Sequence, residues 1–228
     1  MRKILSRSAL GLFVAIGILA PPALAEGLSG YRDFQLGSSL PAIVEKTGVS
    51  PSQTKVIHSR PALIEELTWR PQSLGQPLKA ESAQEVAFSF YGGVLSRIVV
   101  NYDRYETEGL TADDMIDAIS ASYGTAVRSS VPVKPEEGGG GDREEALARW
   151  EDAQHRFDLV RFSYGPRYRL IGVLKSLEAP VQAAILDATR LDAQEAPQRE
   201  AVRIAGEQDA AKSKLEKTRL MNKAKFRP

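Results

Sequence analysis

The chain contains no cysteine among its 228 residues and only two histidines. Without thiols there are no disulfide bonds, no thiol catalysis and no thiolate metal sites, so the core alone has to stabilise the fold. The sequence also has no Gly-x-Ser-x-Gly elbow, no His-Glu-x-x-His pair and no Gly-Lys-Ser/Thr phosphate loop. Familiar sequence signs of nucleophilic, zinc and nucleotide chemistry are therefore missing.

A strong charge of either sign is also lacking, because 30 Lys and Arg balance 29 Asp and Glu. Such a chain does not resemble a nucleic-acid-binding protein, and we expect no nucleic-acid partner. The only long apolar run, at 9–20, follows a basic start and precedes Ala23-Leu24-Ala25. This pattern predicts a signal peptide over 1–25, cleaved after Ala25, and a periplasmic protein that is not a lipoprotein. An uncleaved membrane anchor is the alternative.

One pattern, Val-x-Phe-Ser-aromatic, occurs twice, at 86–90 and at 160–164. Each copy follows a helix-like segment that ends in Gly and a Leu shortly before a Trp, and each precedes a glycine-containing turn and another β-rich run. Repetition of this kind predicts a duplicated architecture. We expect an α+β fold of two tandem helix-plus-antiparallel-meander units, at 26–108 and 109–176, with both helices on one sheet face.

Both predicted helices carry signals at their ends. The first begins after Ser39 and ends at Gly48, and the second begins after Thr111 and ends at Gly124. β-rich runs predict strands at 55–57, 67–69, 86–91, 94–102, 147–150, 157–162 and 168–174.

A glycine pair at 92–93 predicts a two-residue hairpin turn, with Tyr91 opposite Val94. Strict alternation from that turn puts Phe88 opposite Arg97 and places Arg97 on the apolar face. We interpret Arg97 there as laying its aliphatic stem along the rim of the core.

Two segments differ from the repeated units. Four glycines at 138–141 lie in a loop predicted at 132–142, which we interpret as a flexible connector. Residues 177–228 predict a helical tail that starts at Pro180, is interrupted at Pro197, and has the composition of long helices and coiled coils. Its end, at 209–228, holds seven Lys or Arg against two acids, which favours weak contact with a membrane surface, contact with an acidic partner, or a solvated tail.

The segment Leu-Gly-Ser-Ser-Leu-Pro at 36–41, opening a helix that ends in Gly and leads into a meander, resembles the SmpA/OmlA (BamE-like) family of small envelope proteins. Two tandem copies, over roughly 34–174, resemble the β-lactamase-inhibitor-protein architecture. The resemblance implies protein–protein contact without cofactor or catalysis. This chain lacks the lipid-accepting cysteine of the envelope lipoproteins and the disulfides of the inhibitors, and no functional residue is carried across.

The alternative function is that of a small periplasmic enzyme or ligand-binding protein that uses His58 with a nearby carboxylate, Asp103 or Glu106. We expect His58 and His155 to lie apart, at strand ends and partly exposed. The carboxylates at 103–108 do not have the spacing of a calcium loop, so no metal site is predicted.

Tyrosine and arginine side chains cluster in the loop that joins the two units and in the second hairpin. These residue types anchor interfaces, because they bury a large area and still donate hydrogen bonds. Strand alternation leaves open that about half of the rings belong to the core. The predicted partner-binding residues are Tyr102, Arg104, Tyr105, Tyr164, Arg167, Tyr168 and Arg169. The sequence thus predicts a non-catalytic protein, without cofactor, that binds an envelope protein or peptide.

Overall fold

The computed structural model describes residues 28–71, 82–128, 144–162 and 168–227. The predicted signal peptide, the glycine-rich loop at 132–142 and the turn residues Tyr164 and Arg167 lie outside these ranges. The described chain has the predicted α+β fold, with a large antiparallel sheet and a long C-terminal helix.

The described ranges hold ten strands, three α-helices and a 3-10 helix at Pro51–Gln53. The strands are β1 (Gly30–Tyr31), β2 (Phe34–Gln35), β3 (Lys55–His58), β4 (Ile64–Trp69), β5 (Ala83–Tyr91), β6 (Val94–Tyr102), β7 (Val127–Arg128), β8 (Glu144–Glu151), β9 (His155–Phe162) and β10 (Tyr168–Leu174). The helices are α1 (Leu40–Thr47), α2 (Ala112–Tyr123) and α3 (Lys175–Lys225).

Eight strands form one continuous antiparallel sheet in the order β3-β4-β5-β6-β10-β9-β8-β7, and β1 pairs with β2 as a separate hairpin. The order runs outward in both directions from the centre, where β6 pairs with β10 and Val99 lies opposite Ile171. The strands that follow α1 and those that follow α2 therefore share one sheet and meet through their last members.

The ends of α1 and α2 follow the sequence signals. Gly48 ends α1 in the left-handed conformation, with a φ of 67°, and its N–H donates to the Val44 carbonyl. Thr111 begins α2 with a capping box: its hydroxyl accepts from the Asp114 N–H at 3.2 Å, and the Asp114 carboxylate accepts from the Thr111 N–H at 2.8 Å. The Thr111 hydroxyl and N–H together hold the pKa of Asp114 below its ordinary value.

The core lies between one face of the sheet and a layer made of α1, α2 and the β1–β2 hairpin. The Phe34 ring lies 5.2 Å from the Trp69 ring and 4.8 Å from the Phe88 ring, measured between centroids. On the other half of the sheet, the Trp150 indole N–H donates to the Gly124 carbonyl at the end of α2. The largest fully buried side chains are Trp150, Phe88, Phe90, Phe157, Ile43, Leu67, Leu95, Ile98, Leu159, Leu170, Val86 and Val100. Both helices α1 and α2 thus contribute to a single aromatic and aliphatic core.

The predicted turn between β5 and β6 is confirmed. Gly92 and Gly93 have φ values of 58° and 79°, which L-residues with side chains rarely adopt, and Tyr91 lies opposite Val94. Glycine is therefore required at this turn for conformational reasons.

Beyond the turn, the predicted register is wrong. Phe88 lies opposite Ile98, and Arg97 lies opposite Ser89, because a β-bulge inserts Ser96 as an extra residue. The Ser96 hydroxyl donates to the Ser89 carbonyl at 3.0 Å. The bulge moves Arg97 to the second face of the sheet, and the buried side chains that β6 directs to the core are Leu95, Ile98 and Val100.

The two copies of the Val-x-Phe-Ser pattern do not occupy equivalent positions. Phe88 is fully buried against Phe34, whereas Phe162 is half-buried and lies 4.4 Å from the Arg169 guanidinium. Phe157 packs against α2, and Phe162 follows it by an odd number of residues, so the Phe162 side chain emerges on the opposite face. The residues after 162 that complete the second copy lie outside the described ranges.

Helix α3 departs from prediction at both of its proline residues. It begins at Lys175, five residues before the predicted start at Pro180, and it continues through Pro197 to Lys225. Proline removes one helical N–H, but at the exposed position 197 the carbonyl left without a partner is open to water. The predicted interruption at Pro197 is therefore wrong.

The first part of α3 packs on the face of the sheet opposite to α1 and α2. The Arg156 guanidinium donates to both carboxylate oxygens of Glu178 at 3.0 and 2.6 Å, and Arg60 does the same to Glu195 at 2.9 and 2.7 Å. The Arg60 hydrogen bonds hold the pKa of Glu195 below its ordinary value. Only α1 and α2 therefore share a sheet face as predicted.

Candidate binding site

Five of the seven predicted partner-binding residues line one hollow at the end of the sheet where β6 ends and β10 begins. The hollow has a volume of about 810 Å³. It is lined by Arg70, Gln84, Glu85, Asn101, Tyr102, Asp103, Arg104, Tyr105, Phe162, Tyr168 and Arg169. Fold and pairing thus bring together side chains that are far apart in the sequence.

The floor of the hollow is a row of polar side chains across three central strands. Glu85 of β5 lies opposite Asn101 of β6, and Asn101 lies opposite Arg169 of β10. Directly opposed residues project from the same face of a sheet, so the three side chains form a continuous polar strip.

Contacts with Asn101, Glu144 and Phe162 orient Arg169. Its Nε donates to the Asn101 amide oxygen at 2.8 Å, and its Nη1 donates to a Glu144 carboxylate oxygen at 3.0 Å. Its guanidinium carbon lies 4.4 Å from the centroid of the Phe162 ring, within cation–π range. The guanidinium is therefore held in place at the border of the hollow.

A second arginine, Arg70, directly follows β4 and lines the hollow. Arg70 Nε and Nη2 both donate to one carboxylate oxygen of Glu85, at 2.9 and 2.6 Å. Because the Arg70 side chain is 63% exposed, we regard the pair as an orienting contact more than a source of stability.

Two of the predicted tyrosines belong to the core. Tyr168 is buried, and its hydroxyl donates to the Leu110 carbonyl at 2.9 Å. Tyr102 is half-buried and packs against the core. Strand alternation turns both rings inward, so they form the wall behind the hollow and do not project from the surface.

The exposed part of the site is the turn that follows β6. The Asp103 carboxylate accepts from the N–H groups of Tyr105 and Glu106 at 2.7 and 3.3 Å, and the buried Thr107 hydroxyl donates to the Asp103 carbonyl at 2.8 Å. These bonds fix the turn and leave Tyr105 77% exposed, with the Arg104 guanidinium 5.8 Å from its ring centroid. Arg104 and Tyr105 therefore form a projecting pair, here called the rim pair, on a firmly held turn.

His58 and Asp103, the residues of the enzymatic alternative, are not brought together. His58 lies opposite Ile64, which lies opposite Tyr91, whereas the Asp103 N–H donates to the Ser82 carbonyl at the other end of β5. At about 3.3 Å per residue, the two ends are about 30 Å apart along the strands. Glu106 belongs to the same turn as Asp103 and is equally remote.

The other histidine, His155, is buried at the start of β9, which corrects the expectation of partial exposure. Its ring Nδ1 lies 3.3 Å from an Asp152 carboxylate oxygen. Burial acts to raise the pKa of Asp152, but hydrogen bonds from the N–H groups of His155 and Gln154 outweigh it and hold that pKa below its ordinary value. Asp152 thus stabilises the turn between β8 and β9 through these hydrogen bonds. In the part of the chain that the structure describes, no three His, Asp or Glu side chains converge as a metal site.

Sequence reasoning missed Arg70, Glu85 and Asn101. No local pattern marks them, because they meet only through the pairing of β4, β5 and β6. The groups now assembled are guanidinium, amide, carboxylate and phenol, which suit hydrogen bonding and stacking with a bound chain.

Comparison with protein-family models, with curated proteins and with solved structures finds no match for this chain. The helices in the described ranges include none that is both long enough and apolar enough to cross a membrane.

Proposed function

We propose that this is a non-catalytic binding protein of the periplasm, with a role in envelope assembly or homeostasis, that holds a segment of another envelope protein in the hollow. The observation that carries the proposal is the convergence of the polar strip, the aromatic wall and the rim pair on one concave surface. Tyrosine and arginine at an accessible rim are the residue types that dominate binding energy at protein interfaces. The proposed periplasmic location rests on the leader-like sequence at 1–25.

The site chemistry favours an extended segment that offers carbonyl or carboxylate oxygens. Arg70 supplies further N–H donors beside the floor, and within the described chain the Arg104 guanidinium has no carboxylate within ion-pair distance. Tyr105 adds a ring face against which a side chain of the partner packs. The fixed turn lowers the ordering cost of binding.

We also propose that the two halves descend from one duplicated helix-plus-meander unit, in the manner of a tandem SmpA/OmlA-like fold. The strand order supports this, because the last strands of the two halves are neighbours at the centre. Trp69 and Trp150 support it as well, since both are buried on the third strand out from that centre. The repeated Val-x-Phe-Ser pattern does not support the duplication, because Phe88 and Phe162 lie on different faces of the sheet.

The proposal predicts that a photo-reactive phenylalanine analogue at position 105 captures a discrete protein partner in intact cells. The matched control carries the same analogue at Val127, which is 66% exposed and lies on the outermost strand β7. We expect one dominant adduct from position 105 and none from position 127, read by immunoblot and identified by mass spectrometry.

Once the partner is identified, Arg104→Ala with Tyr105→Ala is expected to weaken binding about tenfold or more, the usual effect of truncating hot-spot residues of these types. Val127→Ala, on the outermost strand β7 and outside the hollow, is expected to leave affinity unchanged. Equal amounts of adduct from positions 105 and 127, or no adduct from position 105, would contradict the proposal.

A further inference from the structure

Helix α3 continues far beyond its last contact with the body of the protein. Glu195 is paired with Arg60, and every described residue from 196 to 227 is exposed. At 1.5 Å per residue, the helical segment that follows extends for about 45 Å. A helix without tertiary contacts over that length requires either solvent or a partner along its sides.

Charge is segregated along this helix. Six acids and three bases occupy 187–209, whereas seven bases and one acid occupy 210–227. Attraction of cations to the helix dipole accounts only for bases in the last turn, and here the bases begin at Lys212, more than three turns before the helix ends at Lys225. The basic part of α3, here called the arm (210–227), therefore has an excess of positive charge that helix capping does not explain.

Most of the charge on the arm is uncompensated. Arg219 pairs with Glu216 at 2.6 Å, and Lys212 lies 3.8 Å from Asp209. Among the described residues, no carboxylate lies within ion-pair distance of Lys217, Lys223 or Lys225, while Arg203, in the acidic part, contacts both Glu200 and Glu207. The arm thus presents free ammonium groups to its surroundings.

Large apolar side chains are exposed among these bases. The exposed fractions are 71% for Leu215, 54% for Leu220, 57% for Met221 and 74% for Phe226. Their spacing of five, one and five residues distributes them around the helix and does not form the a/d stripe that a coiled coil with a second copy needs. They also form no single apolar face of the kind with which a helix inserts into a membrane surface. The contact that the arm can make with a membrane is therefore electrostatic, through its uncompensated bases.

We propose that the arm binds the surface of an anionic phospholipid bilayer through attraction between its lysines and arginines and the lipid headgroups. The body of the protein, with the hollow, is then carried at the end of a helical spacer. This surface is separate from the hollow, and the contact does not require that the partner of the hollow be a membrane protein.

The test is co-sedimentation of the purified full chain with vesicles of phosphatidylglycerol and phosphatidylethanolamine, compared with vesicles of phosphatidylcholine alone. We expect binding to the anionic vesicles only, and a loss of about tenfold or more when NaCl rises from about 0.05 to about 0.5 M, because headgroup attraction is screened.

Two variants with the same change in net charge provide the control. Lys217→Gln, Lys223→Gln and Lys225→Gln together should reduce binding at least about tenfold, since each base near an anionic surface contributes about one factor of five. Arg190→Gln, Arg199→Gln and Arg203→Gln together, in the acidic part, should reduce it less than about twofold. All six positions are exposed, and circular dichroism checks that both variants stay folded.

Three outcomes would overturn the proposal: no sedimentation with anionic vesicles, equal losses in the two variants, or concentration-dependent self-association through the arm that replaces vesicle binding. None of these outcomes bears on cross-linking at position 105, so failure of the arm proposal and failure of the hollow proposal are distinguishable.

Discussion

Gly172 lies in the middle of β10, directly opposite Phe157 on one side and Ile98 on the other. A Cβ at this position would lie 2.3 Å from Cε1 and 2.7 Å from Cζ of the Phe157 ring. The ring occupies the space that a side chain would take, and it is itself packed against Tyr123 of α2. Gly172 is therefore a packing requirement at the centre of the core.

Gly172→Ala is expected to lower the free energy of unfolding by about 1–3 kcal/mol, the usual cost of overpacking a close-packed interior. Urea unfolding measures the change. Phe157→Leu alone also destabilises the protein. In the Gly172→Ala background, however, it should restore part of the lost free energy of unfolding, since the smaller leucine side chain leaves room for the Cβ of Ala at position 172. Strictly additive effects in this double-mutant cycle would contradict the packing explanation.

At the scale of secondary-structure elements, α3 is one helix with two environments. Between Leu177 and Glu195 it has half-buried side chains and the buried Ala184 and Ala188, which face the sheet. Beyond Glu195 all described side chains are exposed, and Pro197 removes one N–H at the boundary. Helices obtain most of their stability from packing, so the two parts should differ in how often they open.

Hydrogen–deuterium exchange should detect this difference. Amides between Val181 and Leu191 are expected to exchange at least about a hundredfold more slowly than those between 200 and 225, because opening the packed part also breaks its contacts with the sheet. Anionic vesicles should slow exchange in 210–227 and leave the 181–191 segment unchanged. Uniform protection along the whole helix would show that the environments are not distinct.

At the scale of the whole molecule, the pairing of β6 with β10 joins the two halves into one sheet, and the core cluster includes residues from both. The two halves share this core, and neither has a separate core joined to the other by a linker. We therefore expect the two halves to unfold together.

The two tryptophans allow that expectation to be tested, since Trp69 and Trp150 are both buried and lie in different halves. Fluorescence of a Trp69→Phe variant reports on the second half, and that of a Trp150→Phe variant on the first. In each variant the fluorescence midpoint in urea should coincide with the midpoint from circular dichroism. Separate midpoints within one variant would mean that the halves are independent folding units.

Elements with local signals were predicted well. Ser39 and Gly48 mark α1, Thr111 marks α2, and the glycine pair at 92–93 marks the hairpin, because caps and left-handed turns depend on residues adjacent in the chain.

Features that depend on pairing between distant segments were not predicted. The insertion of Ser96 shifts Arg97 off the core face, and nothing adjacent to Ser96 signals the bulge. The continuation of α3 through Pro197 depends on where the surrounding carbonyls face. The assembly of Arg169 with Asn101 and Glu144 depends on strand register, which is a property of the whole sheet.

Composition and local pattern were thus sufficient for the α+β class, the positions of the first two helices and the basic character of the arm, because each depends on neighbouring residues or on counting them. The hollow and the far-face position of α3 emerged only from the folded chain. The physical reason is that β-pairing brings together side chains with no short-range relation in the sequence, and a single inserted residue changes which of them share a face.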